Sequence, residues 1–162
     1  MFLIYVSIAN SVLKLPSAGN RSANSGFLGG EGSQGRYWSS DVLIGSNARY
    51  IFFNNLTSLS TSQSRAQGQS VRLIVDGTFT QAGYDNNYSG KTTEYLGLTY
   101  GFVYNTTTQK IWLDRNLGAT QVATSYNDTS SYGDLYQWGR SADGHQIRTS
   151  SVYDGLISKP AN

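Results

Sequence analysis

Residues 111–140, IWLDRNLGATQVATSYNDTSSYGDLYQWGR, set Trp112, Trp138, Tyr126, Tyr132 and Tyr136 around an Asp114-Arg115-Asn116 cluster, where an ordinary surface loop would carry small polar residues. Rings with polar tips beside an adjacent acid-base pair suit a rigid, loop-rich fold, in which the ring bodies pack and the hydroxyls, indoles and guanidinium find partners. A second block, residues 13–72, has the same texture in LKLPSAGNR (13–21), GRYWSS (35–40) and QSVRLI (69–74).

The rest of the composition agrees with such a fold. At 162 residues the chain is long enough to bury one core of ordinary size, and a two-domain enzyme with a cleft between its domains is not expected. Charged residues make up 14%, against roughly 25% in an average soluble domain, and Ser, Thr, Asn, Gly and Tyr fill the difference. Tyr, Ser, Gly and Asn are the vocabulary of adaptable binding surfaces and equally of plain loop-rich β proteins. The net charge is +2 and the basic residues are scattered singly from Lys14 to Lys159, so no basic footprint marks nucleic acid as a partner. With no cysteine, disulfides and thiolate chemistry are excluded. The apolar start MFLIYVSI falls far short of the roughly 20 residues a bilayer span needs and has no basic n-region, so it reads first as a strand over Phe2–Ile8, with a truncated export signal as the lesser reading.

Segments of five to nine residues rich in Tyr, Phe, Ile, Val and Thr alternate with Gly and Asn punctuation, which predicts short strands joined by turns. Strands are expected at Phe2–Ile8, Tyr37–Ser39, Ala48–Asn54, Ser70–Val75, Gly97–Tyr104 and Lys110–Asn116. The last two form a β-hairpin across Asn105–Gln109. One short helix is expected near Ser130–Trp138. Residues 76–96 lack steady periodicity and read as a connector, yet Phe79, Tyr84, Tyr88 and Tyr95 predict that it packs against something.

The motifs IWLDRNLGA, YGDLYQWGR and ADGHQIRTSS in one block, and LKLPSAGNR, GRYWSS, NARYIFF and SVRLI in the other, resemble the Fibrobacter succinogenes major paralogous domain. That family, found in many Bacteroidetes-type surface and phage proteins, has a variant of the C-type lectin fold. It is akin to the formylglycine-generating enzyme domain and to the variable proteins that retroelements diversify. Together the two blocks cover roughly two thirds of the chain, but in the reverse of the family's order, in which the WLDRNLG hairpin comes first and the SVR strand last. The family's intervening segment, with a cysteine-containing turn and a helix, is missing. The resemblance therefore implies a β-rich α+β fold, C-type-lectin-like, with short antiparallel strands, long loops and little helix. Residues 1–75 would hold the family's C-terminal half, 76–96 the connector and 97–162 its N-terminal half. Three arrangements follow: a circular permutant that closes on itself, halves that complete neighbouring copies, or a fragment of two tandem repeats. First and last strands that pair leave termini close enough for a connector of about twenty residues to join. Complementation between copies would instead build a ring or a fibre.

Each chemical motif has a functional and a structural reading. Asp114-Arg115-Asn116, Arg72, Arg140, Trp38, Trp112, Tyr136 and Trp138 read as structural, holding loops to sheets through bidentate and backbone hydrogen bonds. His145 is the sole histidine, and without cysteines or patterned carboxylates it makes neither a zinc site nor a catalytic triad. Formylglycine chemistry, which needs cysteine, does not carry over. Asp76, Asp85, Asp128 and Asp134 are dispersed, whereas a calcium site gathers six to eight oxygens, so no metal and no cofactor are expected. The best recognition surface lies in Gly35–Arg72, where the diversified relatives vary Asn, Ser and Tyr positions between a YWSS anchor and the SVR strand. Tyr37, Asp41, Asn47, Arg49, Tyr50, Phe52, Asn54, Asn55, Ser58 and Gln63 are its candidate ligand-binding residues. Strand alternation would put Tyr50, Phe52 and Asn54 on one side and Arg49, Ile51 and Phe53 on the other.

These readings lead to a non-enzymatic extracellular recognition or adhesion module on a phage fibre or bacterial surface appendage. It would bind a cell-surface glycan or protein, with copies of itself as further partners and neither nucleic acid nor membrane. The alternative is a structural subunit that assembles head-to-tail into a filament or virion shell.

Overall fold

The structure, a computed structural model, describes residues 12–43 and 45–151; the strand expected at Phe2–Ile8 lies outside them. It is β-rich with little helix, as expected, and its strands form three small antiparallel sheets. The first has the order β10-β6-β1-β2, from Tyr136–Gln137, Gly68–Gln69, Ala18–Arg21 and Leu28–Glu31. The second is the meander β3-β4-β5, from Gly35–Val42, Asn47–Phe53 and Ser58–Ser64. The third is β7-β8-β9, from Thr92–Tyr95, Leu98–Asn105 and Lys110–Leu113.

Residues 68–75 join the three sheets. Gly68 and Gln69 belong to the first sheet, pairing with Arg21 on one side and with Tyr136 and Gln137 on the other. Ser70 then bridges β3, donating to the Arg36 carbonyl (3.0 Å) and accepting from Trp38 N–H (3.1 Å). Next, Val71 and Leu73 accept from Leu117 and Leu113 (both 3.0 Å), and Val75 donates to Ile111 (2.8 Å). The expected strand Ser70–Val75 is thus corrected: its backbone is hydrogen-bonded, but it changes partner too often to build one ladder. It runs beside the hairpin of its own chain.

That hairpin forms at the expected place. Asn105 Oδ1 accepts from the N–H groups of Thr107 and Thr108 (both 3.0 Å), the Asx turn that favours Asn at a loop start. Under it, Tyr100, Leu113, Leu117 and Tyr136 make a buried cluster against Val71, Leu73, Leu98 and Phe102. The helix expected at Ser130–Trp138 is replaced by a 3₁₀ turn, Thr129–Ser131, capped by Asp128, and then by β10. Gly133, at φ +65°, breaks the helical geometry between them, and Tyr136 and Gln137 find a strand partner in β6.

Regular helix occurs instead at α1, Gln81–Asn87, inside the stretch read as a connector. Thr80 caps it by accepting from Gly83 N–H (3.1 Å). Its aromatics dock on the hairpin as their presence suggested. Tyr84 stacks on Tyr104 at 5.7 Å and donates to the Phe102 carbonyl (2.9 Å), while Tyr88 meets Phe102 edge-on at 5.1 Å.

Candidate functional site

Long-range bonds between residues 13–72 and 111–148 hold the scaffold. Arg72 is buried; its Nε and Nη2 donate to Asn116 Oδ1 (3.1 and 2.9 Å), and Nη1 donates to the carbonyls of Leu13 (2.9 Å) and Leu113 (3.1 Å). Burial lowers its pKa to about 10, still charged at neutral pH. Asn116, fully buried, donates from Nδ2 to the Tyr37 hydroxyl (3.0 Å) and the Tyr132 carbonyl (3.1 Å). Trp38 Nε1 reaches the Tyr136 carbonyl (2.7 Å) and Trp138 Nε1 that of Ser39 (2.9 Å). Asp114 pairs with Arg115 at 3.1 Å, and the Arg115 guanidinium lies 4.7 Å from the centre of the Tyr100 ring and donates to the Thr99 carbonyl. Arg140 pairs with Asp143 at 2.8 Å. Trp112 leaves its buried indole N–H without a hydrogen bond among the described residues. Sequence reasoning missed two arginines of this kind. Arg21 donates to the carbonyls of His145, Ile147 and Arg148, and Arg148 to those of Gly133 and Ala18 and to Glu31. Both lie inside the motifs already singled out, LKLPSAGNR and ADGHQIRTSS, and that was the available signal.

His145 is 2% exposed and serves the same scaffold. Its Nε2 accepts from Gln137 N–H (3.1 Å), which leaves the proton on Nδ1, 2.7 Å from Asp143 Oδ1. Burial lowers its pKa below 6.5, with the Asp143 hydrogen bond opposing and the Arg140 and Arg21 charges reinforcing the shift. Below pH 6.5 the unfolded chain therefore binds a proton that the native state refuses, and stability falls as the pH drops. The Asp143 carboxyl is held far below its ordinary 3.8, chiefly by the His145 hydrogen bond, so its contribution is present above that value and lost below it. Urea midpoints measured as the pH is lowered should first decline just below 6.5, and His145→Asn should remove that first decline.

The surface sheet β3-β4-β5 shows which candidate binding residues share a face. Ala48 and Tyr50 point inward and Asn47 and Arg49 outward, while Ile51, Phe52 and Phe53 are all half-buried. Two expectations are corrected here. Tyr37, 4% exposed, donates its hydroxyl to the Pro16 carbonyl (2.8 Å) and stacks on Phe53, and Tyr50, 8% exposed, packs edge-on against Trp38; neither can meet a ligand. Others are engaged within the fold. Asn54 Oδ1 accepts from Leu56 and Thr57 N–H (both 2.9 Å), Gln63 Oε1 accepts from Arg36 (3.2 Å), and Phe52 lies under the Arg36 guanidinium at 5.4 Å.

What remains is one cluster. β3 pairs Trp38 with Tyr50 and Val42 with Ala48, so Ser39, Ser40 and Asp41 bulge across from the single residue Arg49. Bulges recur beside functional sites because they re-aim side chains. Arg49 has Ser62 as its partner on β5, Asn47 two residues away on its own face, and Ser60 diagonally opposite. Among the described residues its guanidinium has no hydrogen bond, ion pair or ring contact, and the Asp41 carboxylate has no partner either. Asn55 and Ser58 lie at the far turn, away from this cluster.

Two of the dispersed aspartates, Asp85 and Asp128, serve local structure. The Asp128 carboxylate accepts from Gln121, Thr124 and Ser130, Asp85 accepts from Gln81, and burial raises the pKa of Asp134, with the Arg148 charge opposing. Among the described residues no helix is long and apolar enough to cross a membrane. No protein-family model, curated protein or solved structure matches the chain.

Proposed function

We propose that this protein is a non-enzymatic recognition module of C-type-lectin-like architecture, circularly permuted and closed within one chain, that presents the outer face of β3-β4-β5 to a cell-surface glycan or protein from an extracellular structure such as a phage fibre. The observation carrying this reading is the partnerless Arg49 in a field of Asn47, Ser60 and Ser62, with Asp41 on the facing bulge. A guanidinium left open on a rigid strand is ready for a carboxylate or for sugar hydroxyls, at little ordering cost to its backbone. The pairing of residues 71–75 with the hairpin of the same chain supports closure by permutation.

Arg49→Ala should weaken binding to target cells by roughly tenfold or more, as for a central interface arginine. Its unfolding midpoint should stay within about 0.5 kcal/mol of the parent, as for a surface change that breaks no contact. Unchanged binding in flow cytometry with labelled protein would defeat the proposed site. The structural-subunit reading draws on Phe27 and Leu56, apolar and 76% and 84% exposed. Polymers that persist without any ligand and bind no cell would favour it.

A further inference from the structure

Among the described residues strand β5, SLSTSQS, is the outer strand of its sheet, and it pairs with β4 without a break from Ser58 to Ser64. Two flanking bonds set its hydrogen-bonding phase: Arg65 N–H donates to the Ser46 carbonyl and Asn54 N–H to that of Thr57 (both 2.9 Å). Because antiparallel bonding alternates, Leu59, Thr61 and Gln63 bond β4, and the peptide groups of Ser60 and Ser62 face away from it. Neither has a backbone partner among the described residues, whereas the Ser64 carbonyl is already taken by Gln67 N–H (3.0 Å). Native edges of this length are usually blunted by a lysine, a proline, a bulge or a covering element. β5 has none of the first three, and among the described residues the order β3-β4-β5 leaves it outermost.

The open groups are symmetric about Thr61, which decides the occupant. An antiparallel copy of β5 placed on a two-fold axis there sets Ser60 against Ser62 and Ser62 against Ser60, so each copy donates two hydrogen bonds and accepts two. Thr61 then meets Thr61, a pairing that β-sheets favour, and Leu59 meets Gln63. No charge lies on the strand, so self-pairing sets no like charges opposite each other. We infer that β5 is a self-pairing edge, through which two copies of this chain join into one continuous six-stranded sheet. Such a contact is isologous and closes as a dimer rather than growing into a fibre. The two Arg49 faces would lie in one surface, a bivalent display that adds avidity without any new ligand contact. The inference does not depend on what that face binds.

Light scattering of the full chain should give twice the 17.7 kDa mass of one chain. Thr61→Lys alone and Thr61→Glu alone should each be monomeric, with the parent's circular dichroism spectrum. Mixing the two should restore the dimer, because only a two-fold at position 61 sets those substitutions opposite each other. Ser62→Pro, which removes an N–H the fold does not use, should also be monomeric. A monomeric parent protein, a dimer that survives all three substitutions, or a mixture that stays monomeric would overturn the inference. Loss of cell binding by Arg49→Ala in a dimer that persists would leave it standing.

Discussion

Arg72→Met should cost on the order of 3–5 kcal/mol, the range seen when a buried charged hydrogen-bond donor is removed and its acceptors stay behind. The methionine fills most of the volume, so the loss is polar rather than a cavity. Asn116 Oδ1 and the carbonyls of Leu13 and Leu113 would all lose the guanidinium, and Asn116 also positions the Tyr37 hydroxyl and the Tyr132 carbonyl. Against a total stability of about 5–15 kcal/mol, such a change brings a domain close to unfolding. Urea denaturation followed by tryptophan fluorescence should show the midpoint fall sharply, and a shift under 1 kcal/mol would mean that Arg72 is peripheral.

Gly133→Ala should be nearly as damaging, for a different reason. Gly133 sits at φ +65°, where a side chain costs about 1–2 kcal/mol, and a Cβ there would lie 2.3 Å from the Leu117 carbonyl oxygen, a backbone atom that cannot rotate aside. Overpacking of this kind adds roughly 1–3 kcal/mol. Gly90, at φ +69° with nothing within 4 Å of its Cβ position, provides the comparison. Gly90→Ala should cost only the conformational part, about 1 kcal/mol. Equal losses at the two glycines would show that the approach of Leu117 is not what makes Gly133 necessary.

Local chemistry accounts for what the sequence made legible. The hairpin around Asn105–Gln109 announces itself by β-formers on both sides of an Asn-initiated turn. The connector's four aromatics signalled docking, since a free tether would not need them; Tyr84 and Tyr88 do pack on the hairpin, while Tyr95 stays exposed. The helix expected at Ser130–Trp138 failed because spacing alone suggested it, while a glycine in the left-handed region and a strand partner at Gly68–Gln69 outweighed that spacing. At the candidate site, alternation along Asn47–Phe53 defined two faces but could not rank them, since Tyr50 and Arg49 suit a binding surface equally well.

From its residues alone this chain was bound to be β-rich, cysteine-free and held by aromatic and arginine anchors, since strand propensity, turn chemistry and the partner requirements of buried polar groups act over a few neighbouring positions. Tertiary structure alone decided that residues 68–75 tie three sheets together, that Tyr37 and Tyr50 are buried while Arg49 stays open, and that β5 is left as an edge. Those outcomes depend on contacts between positions tens of residues apart, whose alignment is settled when the two blocks close on each other.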